Sequence, residues 1–334
     1  MTSVAIRLKE LEEDELEEFI ELWCDRVGSG YVSVERIGKA NDKGRDVIGF
    51  LTQAKHEGPW HLYQCKRKTR GSALGVPEAL GELGKVFHHH SEGAYRTMPE
   101  KYVFVAPRGV TGPLQDLNFN PSDLKAALIA KWDDHCAGYI TQRRRIALTP
   151  ELRALIEDYD FGNVSHLSAT GLAKHPASLK ALTQVLGLPP GDAPVGKAPA
   201  TLQAEEMAYI DQLRQVYGEA RGAPFATADD VLADGMHGDH LREQRNRFFD
   251  ATSFRLFHRD NTSVEALVEF EAEVHHGVVD VYRLPYGSRL ERVGAVMRHA
   301  STMTCAIKGK LARIPVRQGM CHHLANEGLM KWIP

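Results

Sequence analysis

Asp46, Gln64 and Lys66 are the residues of this 334-residue chain whose types and spacing could do chemistry together. Asp46 follows Gly44-Arg45 at the head of the β-type run DVIGFL, and Gln64-Cys65-Lys66 ends a second run that begins WHLYQC. Side chains two apart on a strand share a face, so Gln64 and Lys66 project together with Leu62, while Tyr63 and Cys65 point the other way. A hairpin turning around His56 to Pro59 brings Asp46 alongside them. Cleaving a phosphodiester at neutral pH needs a cation on a phosphate oxygen, a nucleophilic water and relief of negative charge in the transition state. Asp46 offers a hard carboxylate, Gln64 a neutral carbonyl oxygen and Cys65 a backbone carbonyl, a donor set suited to Mg2+ or Mn2+. Lys66 would orient the water or meet the developing charge. Because Gln64 is uncharged, a further carboxylate would help, and Glu17 offers one beside the buried stripe of the first helix, with Glu13 and Glu21 as fallbacks. Any one of these residues alone reads as a turn cap or a solvated strand edge. All three in register point to catalysis.

A basic run, Lys66, Arg67, Lys68 and Arg70, follows directly, with Lys43 and Arg45 on the approach and Arg143 to Arg145 further on. Phosphate contacts are its natural use, and a solvated loop is the plain alternative. With a net charge of -3, any DNA contact has to be a local patch. No helix presents an obvious base-reading set, so backbone or shape recognition of duplex DNA is expected.

The elements that must position these groups can be read from periodicity. Leu16, Phe19, Ile20, Trp23 and Val27 recur at helical spacing within residues 8 to 27, with glutamates on the other side. Three strands follow: Tyr31 to Ile37, DVIGFL and WHLYQC. Residues 77 to 92 read as a helix, 101 to 107 as a short buried strand, and 122 to 135 as a helix after Asn120-Pro121-Ser122. From 147 to 187 the signals are helical. The Pro, Gly and Ala-rich stretch 187 to 200 reads as a linker, and 201 to 334 as a second, mostly helical domain.

Apolar residues at 43% and charged residues at 25% are the proportions of a globular protein. No apolar run approaches the roughly 20 residues that cross a bilayer, and the N-terminus opens on an acidic helix, so a cytoplasmic protein without membrane contact is expected. The five cysteines are scattered and odd in number, which predicts reduced thiols. GDAPVGK at 191 to 197 has the spacing of a phosphate-binding loop. It lacks the Ser or Thr after the lysine, carries Pro194 and Pro199, and follows no buried strand, so nucleotide hydrolysis is set aside. The adjacent histidines, including His322-His323 after Cys321, assemble no complete metal-ligand set and read as packed or surface residues.

The order LEEFIELW, GKANDKGRDVIGF, LYQCKRK resembles the QxK branch of PD-(D/E)xK nucleases, which includes Mrr-like restriction enzymes, over roughly residues 10 to 110. The resemblance implies an α/β restriction-endonuclease-like domain, taken as 1 to 186, with a mostly α-helical C-terminal domain. It maps Glu17 to the helix acid, Asp46 to the metal-binding aspartate, Gln64 to the position usually held by Asp or Glu, and Lys66 to the lysine, with Glu17, Asp46 and Gln64 holding the metal. DQLRQVYGEA, HGDHLREQRNRFFDA, ERVGAVMRHA and GMCHHLANEGLMKW resemble the C-terminal domain of effectors in bacterial ABC three-component systems, related to Lamassu antiphage defence. Together the two resemblances imply a Mg-dependent DNA endonuclease effector whose partners are an SMC-like or Rad50-like ATPase and a small third subunit, with self-association into a homo-oligomer. The alternatives are a non-cleaving DNA-binding or assembly subunit, and a free-standing Mrr-like restriction enzyme.

Overall fold

The structure is a computed structural model and describes residues 3–27, 30–37, 42–69, 71–141 and 143–333. The chain divides into two compact units, Met1–Gly187 and Leu188–Pro334.

The first unit opens with two helices where one was expected over 8 to 27: α1 (Val4–Lys9) and α2 (Glu13–Cys24). The break has a local cause. Glu15 accepts the backbone N–H of Glu12 through its side chain, which starts a new helix at Glu13. Strands β1 (Ser33–Arg36), β2 (Val47–Phe50) and β3 (Trp60–Cys65) form an antiparallel meander. Helix α3 (Val76–Ser91), with Pro77 in its first turn, then crosses to β4 (Lys101–Val105), parallel to β3. Helices α4 (Gly112–Phe119), α5 (Pro121–Ala130) and α6 (Pro150–Asp158) follow, and the expected helix over 122 to 135 ends as a wide π turn at Trp132–Cys136.

The helical reading of 147 to 187 is corrected by β5 (Val164–Leu167), which pairs parallel with β4 and completes a five-stranded sheet in the order β1-β2-β3-β4-β5. Two short helices, α7 (Ala169–Lys174) and α8 (Leu179–Gln184), close the unit. One sheet face, with Ile48, Phe50, Trp60, Leu62, Tyr102 and Phe104, packs into a core with α3, α5 and α6. The other face carries Tyr63 against Trp23 of α2, ring centroids 5.7 Å apart. The pleat therefore decides which helix meets which side chain.

The second unit is built from α9 (Met207–Arg221), α10 (Ala228–Ala233), α11 (Gly238–Asn261), α12 (Val264–Arg283), α13 (Arg289–Thr302) and α14 (Ile314–Asn326), with a small hairpin of β6 (Ala306–Ile307) and β7 (Lys310–Leu311) before α14. Helices α11 and α14 form its centre, and they come close because position 319 is glycine. A Cβ there would lie 1.9 Å from the carbonyl oxygen of Arg247. Residues 193–199 of the stretch 187–200, read from sequence as a linker, and Thr201 just after it make contacts within this unit. Arg313 donates to Ala193 O, Asp250 accepts from Gly196 N–H at 3.0 Å, and buried Arg245 donates to Pro199 O and Thr201 O as well as to Glu206.

The terminal motif GMCHHLANEGLMKW closes a buried hydrogen-bond relay whose direction is fixed at its start. Trp332 Nε1–H can only donate, and it points at His322 Nδ1 (3.2 Å), so His322 carries its proton on Nε2 and gives it to Gln244 Oε1 (2.9 Å). The Gln244 amide then donates to His240 Nε2 (2.9 Å), which leaves His240 Nδ1–H for Tyr217 OH (2.7 Å). Helices α9, α11 and α14 and the segment that follows α14 are tied together by one uninterrupted chain of donors.

Candidate active site

The register of the β2–β3 hairpin pairs Val47 with Tyr63, so Asp46, one residue before β2, comes opposite Gln64. Gln64 Nε2 donates to Asp46 Oδ2 at 2.7 Å, and the backbone N–H of Cys65 donates to the same oxygen at 2.7 Å. Both side chains are buried. Burial pushes the Asp46 carboxyl up to about 7, and the nearby Asp42 and Glu17 act in the same direction against Lys66 and the Cys65 N–H. A carboxyl group so placed is short of positive charge.

Lys66 extends from the same face as Gln64, toward α3, and its Nζ donates to Glu82 Oε1 at 2.8 Å. Burial alone would make this lysine easier to deprotonate, but Glu82 and Asp46 outweigh it and Lys66 is held charged, its pKa raised. Glu82 is the site residue that reading the sequence missed. It lies in α3 among Leu80, Leu83 and Val86, fully buried, where a helical wheel alone suggests a solvated glutamate. The available signal was a charged residue inside an apolar stripe with glycines at 81 and 84 beside it, the mark of another segment in close approach.

Glu17 comes from α2, which covers the opposite sheet face. It is buried, and its carboxyl pKa is raised, first by burial and then by Glu13 and Asp14. Its charge reaches Asp46 and Cys65 without a direct hydrogen bond to either. Of the fallbacks, Glu13 is exposed and Glu21 pairs with Arg36 at 3.5 Å.

Residues 8–112 match the restriction endonuclease family, and residues 206–332 match C-terminal domain 6 of the ABC-three component systems. The chain thus joins a Mrr-like restriction-endonuclease domain to an ABC three-component C-terminal domain. No curated protein and no solved structure matches it.

The nuclease domain can be tested for a cation by its unpaired oxygens. Asp46 accepts from the Gln64 amide, so the Gln64 carbonyl oxygen faces away from it, and that oxygen is buried without a hydrogen-bond partner, as is Glu82 Oε2. Orphaned buried acceptors are costly unless something electropositive meets them. Among the described residues no three His, Cys, Asp or Glu side chains cluster as a metal-holding group, so a cation here would rest on Asp46 and the Gln64 carbonyl, with Glu17 supplying charge from α2. These donors fit a hard divalent ion.

The cations around the candidate site divide into two kinds. Lys43 is exposed, in a left-handed turn at φ 57°. Arg45 is half-buried: its guanidinium donates to Asp42 O (3.0 Å) and His56 Nε2 (2.7 Å) and lies over the Tyr95 ring. It builds the loop that carries Asp46. Arg67 donates to Leu11 O and Glu12, and Lys68 pairs with Glu78. Arg70 lies outside the described residues. Among the described residues no helix is long and apolar enough to cross a membrane.

Proposed function

We propose that the N-terminal unit is a divalent-metal-dependent DNA endonuclease and that the chain is the effector subunit of an antiphage defence complex restrained by an SMC-like or Rad50-like ATPase. The observation that carries the reading is the pairing of buried Asp46 with Gln64, which leaves the Gln64 carbonyl unsatisfied two residues before a lysine held in its charged form.

Asp46 and the Gln64 carbonyl would hold Mg2+ or Mn2+, with Glu17 adding negative charge from behind. When bound, the ion would polarise a phosphate oxygen and lower the pKa of a water. Asp46, fixed by the Cys65 N–H and the Gln64 amide, keeps one carboxylate oxygen outside those two bonds. Lys66 presents a fixed positive charge to the phosphate that gains negative charge as the bond to the leaving oxygen breaks. Lys43, with Arg67 and Lys68 once released from Glu12 and Glu78, would meet the duplex backbone, a contact that positions the strand without reading bases.

The helical unit is the natural place for the restraint, since it belongs to the ABC three-component family and the proposed catalytic set lies wholly in the first unit. The reading is tested by incubating the full chain with supercoiled plasmid and Mg2+ or Mn2+, alone and with the ATPase subunit. Nicked or linear product that disappears with chelator is expected. No product under any of these conditions overturns it.

A further inference from the structure

Lys66 has a long side chain with four rotatable bonds, and something must decide where its ammonium stands. Glu82 Oε1 gathers three donors: Lys66 Nζ at 2.8 Å, Tyr139 OH at 2.7 Å and Lys85 Nζ at 3.2 Å. Its other oxygen, Oε2, is buried and has no hydrogen-bond partner, and the same holds for Tyr102 OH on β4, which senses the charges of both Glu82 and Asp46. The carboxylate is 1% exposed, so this is no solvated pair at a helix surface.

The arrangement is prepared by the backbone. Tyr139 reaches Glu82 from the segment after the π turn, packed on α3 at Gly81, where a Cβ would meet its ring at 2.5 Å. A second glycine, Gly84, admits Cys136 in the same way, with a Cβ there only 2.9 Å from the cysteine's own. The two glycines let the π turn dock on α3, and that docking puts a hydroxyl on the carboxylate that holds Lys66.

We propose that Glu82, braced by Tyr139, is the positioning residue of Lys66: it fixes the ammonium beside Asp46 and Gln64, so that cleavage depends on a carboxylate that need touch neither metal nor DNA. This rests on reading Asp46, Gln64 and Lys66 as the nuclease site. Small misplacements of a catalytic group lower turnover steeply while leaving substrate binding alone. Loss of the clamp therefore acts on kcat and spares KM.

The test uses the full chain labelled with 15N at lysine Nζ, together with plasmid cleavage in Mn2+. The wild type should show a slowly exchanging ammonium resonance that vanishes in Lys66→Met. Glu82→Gln should broaden or lose that resonance and lower kcat at least about tenfold with KM within about twofold. Tyr139→Phe removes only the bracing hydroxyl from a partly exposed side chain, so it should fold normally and show a smaller loss in the same direction. An ammonium signal and kcat both unchanged in Glu82→Gln and Tyr139→Phe, while Lys66→Met is inactive, would overturn the clamp and leave the site standing. If Lys66→Met cleaves like the wild type, the reading of the site itself has failed.

Discussion

Gln64 donates its amide N–H to Asp46 Oδ2 at 2.7 Å, and by doing so turns its own carbonyl oxygen toward a buried position with no partner. One hydrogen bond thus couples the neutrality of Gln64 to the burial of Asp46: a glutamate at 64 would set two carboxylates against each other.

That relationship gives a first expected outcome. Gln64→Glu should destabilise the metal-free protein by about 2 kcal/mol, because two like charges are confined in a buried pair. Added Mn2+ should raise the melting temperature of this variant more than that of the wild type, since an ion that binds only the folded state stabilises it by mass action. Differential scanning fluorimetry with and without metal reads both effects. Equal metal-induced shifts in the two proteins would count against a cation at this pair.

Arg45 and Lys43 should separate cleanly. Arg45→Met removes hydrogen bonds to Asp42 O and His56 and the stacking on Tyr95, so it should lower stability by about 1–2 kcal/mol. Lys43→Ala should leave stability unchanged and weaken duplex binding, with a shallower salt dependence. Denaturant unfolding and binding at two salt concentrations measure the pair. A stable Arg45→Met protein with weakened DNA binding would reverse the assignment.

How far the sequence foretold this site depends on period. Strand alternation is strict, so the hairpin and the shared face of Gln64 and Lys66 followed from residue spacing alone. Glu82 escaped because a helical stripe read at 3.6 residues treats a glutamate as solvent-facing unless its neighbours reveal a segment lying on top of it. Strand β5 escaped for a different reason: Val-Ser-His-Leu is four residues long, with only Val164 buried, and its pairing with β4 is a long-range parallel contact. The acidic break at Glu10 to Glu12 hid within a continuous apolar rhythm. In the second unit, His322 and His323 read as packed or surface residues, but the relay through Gln244 and His240 joins residues some 80 positions apart and has no local signature.

The stretch 193–201 supplies a third expectation. A fragment 188–334 should be more stable than 201–334, because the shorter one loses the contacts of Arg313 and Asp250 with 193–196 and leaves buried Arg245 without the Pro199 carbonyl. A difference of about 2–3 kcal/mol is expected in urea unfolding. Equal stability would mean these contacts contribute nothing.

A fourth concerns acid. His323 is held down to about 3 and His258 to about 4, in both cases mainly by burial, and buried His322 lies well below its ordinary range. The unfolded chain protonates these histidines near 6.5 and the folded chain does not. Their contribution is therefore whole above about pH 6.5 and is lost as pH falls toward their folded values, by up to about 1.4 kcal/mol per histidine per pH unit. Stability should drop between pH 7 and 5, and His323→Gln should reduce that drop by about 2 kcal/mol. A variant with an unchanged pH dependence would show that His323 titrates normally in the fold.

The proposed function assigns metal-dependent phosphodiester cleavage to Asp46 and Lys66. Its most direct measurement compares plasmid cleavage in Mg2+ by the wild-type chain, Asp46→Asn and Lys66→Met, each first shown to unfold cooperatively. A loss of at least about a hundredfold in rate for both variants, with duplex DNA binding retained, is the expected result. Cleavage at the wild-type rate by either folded variant would contradict it.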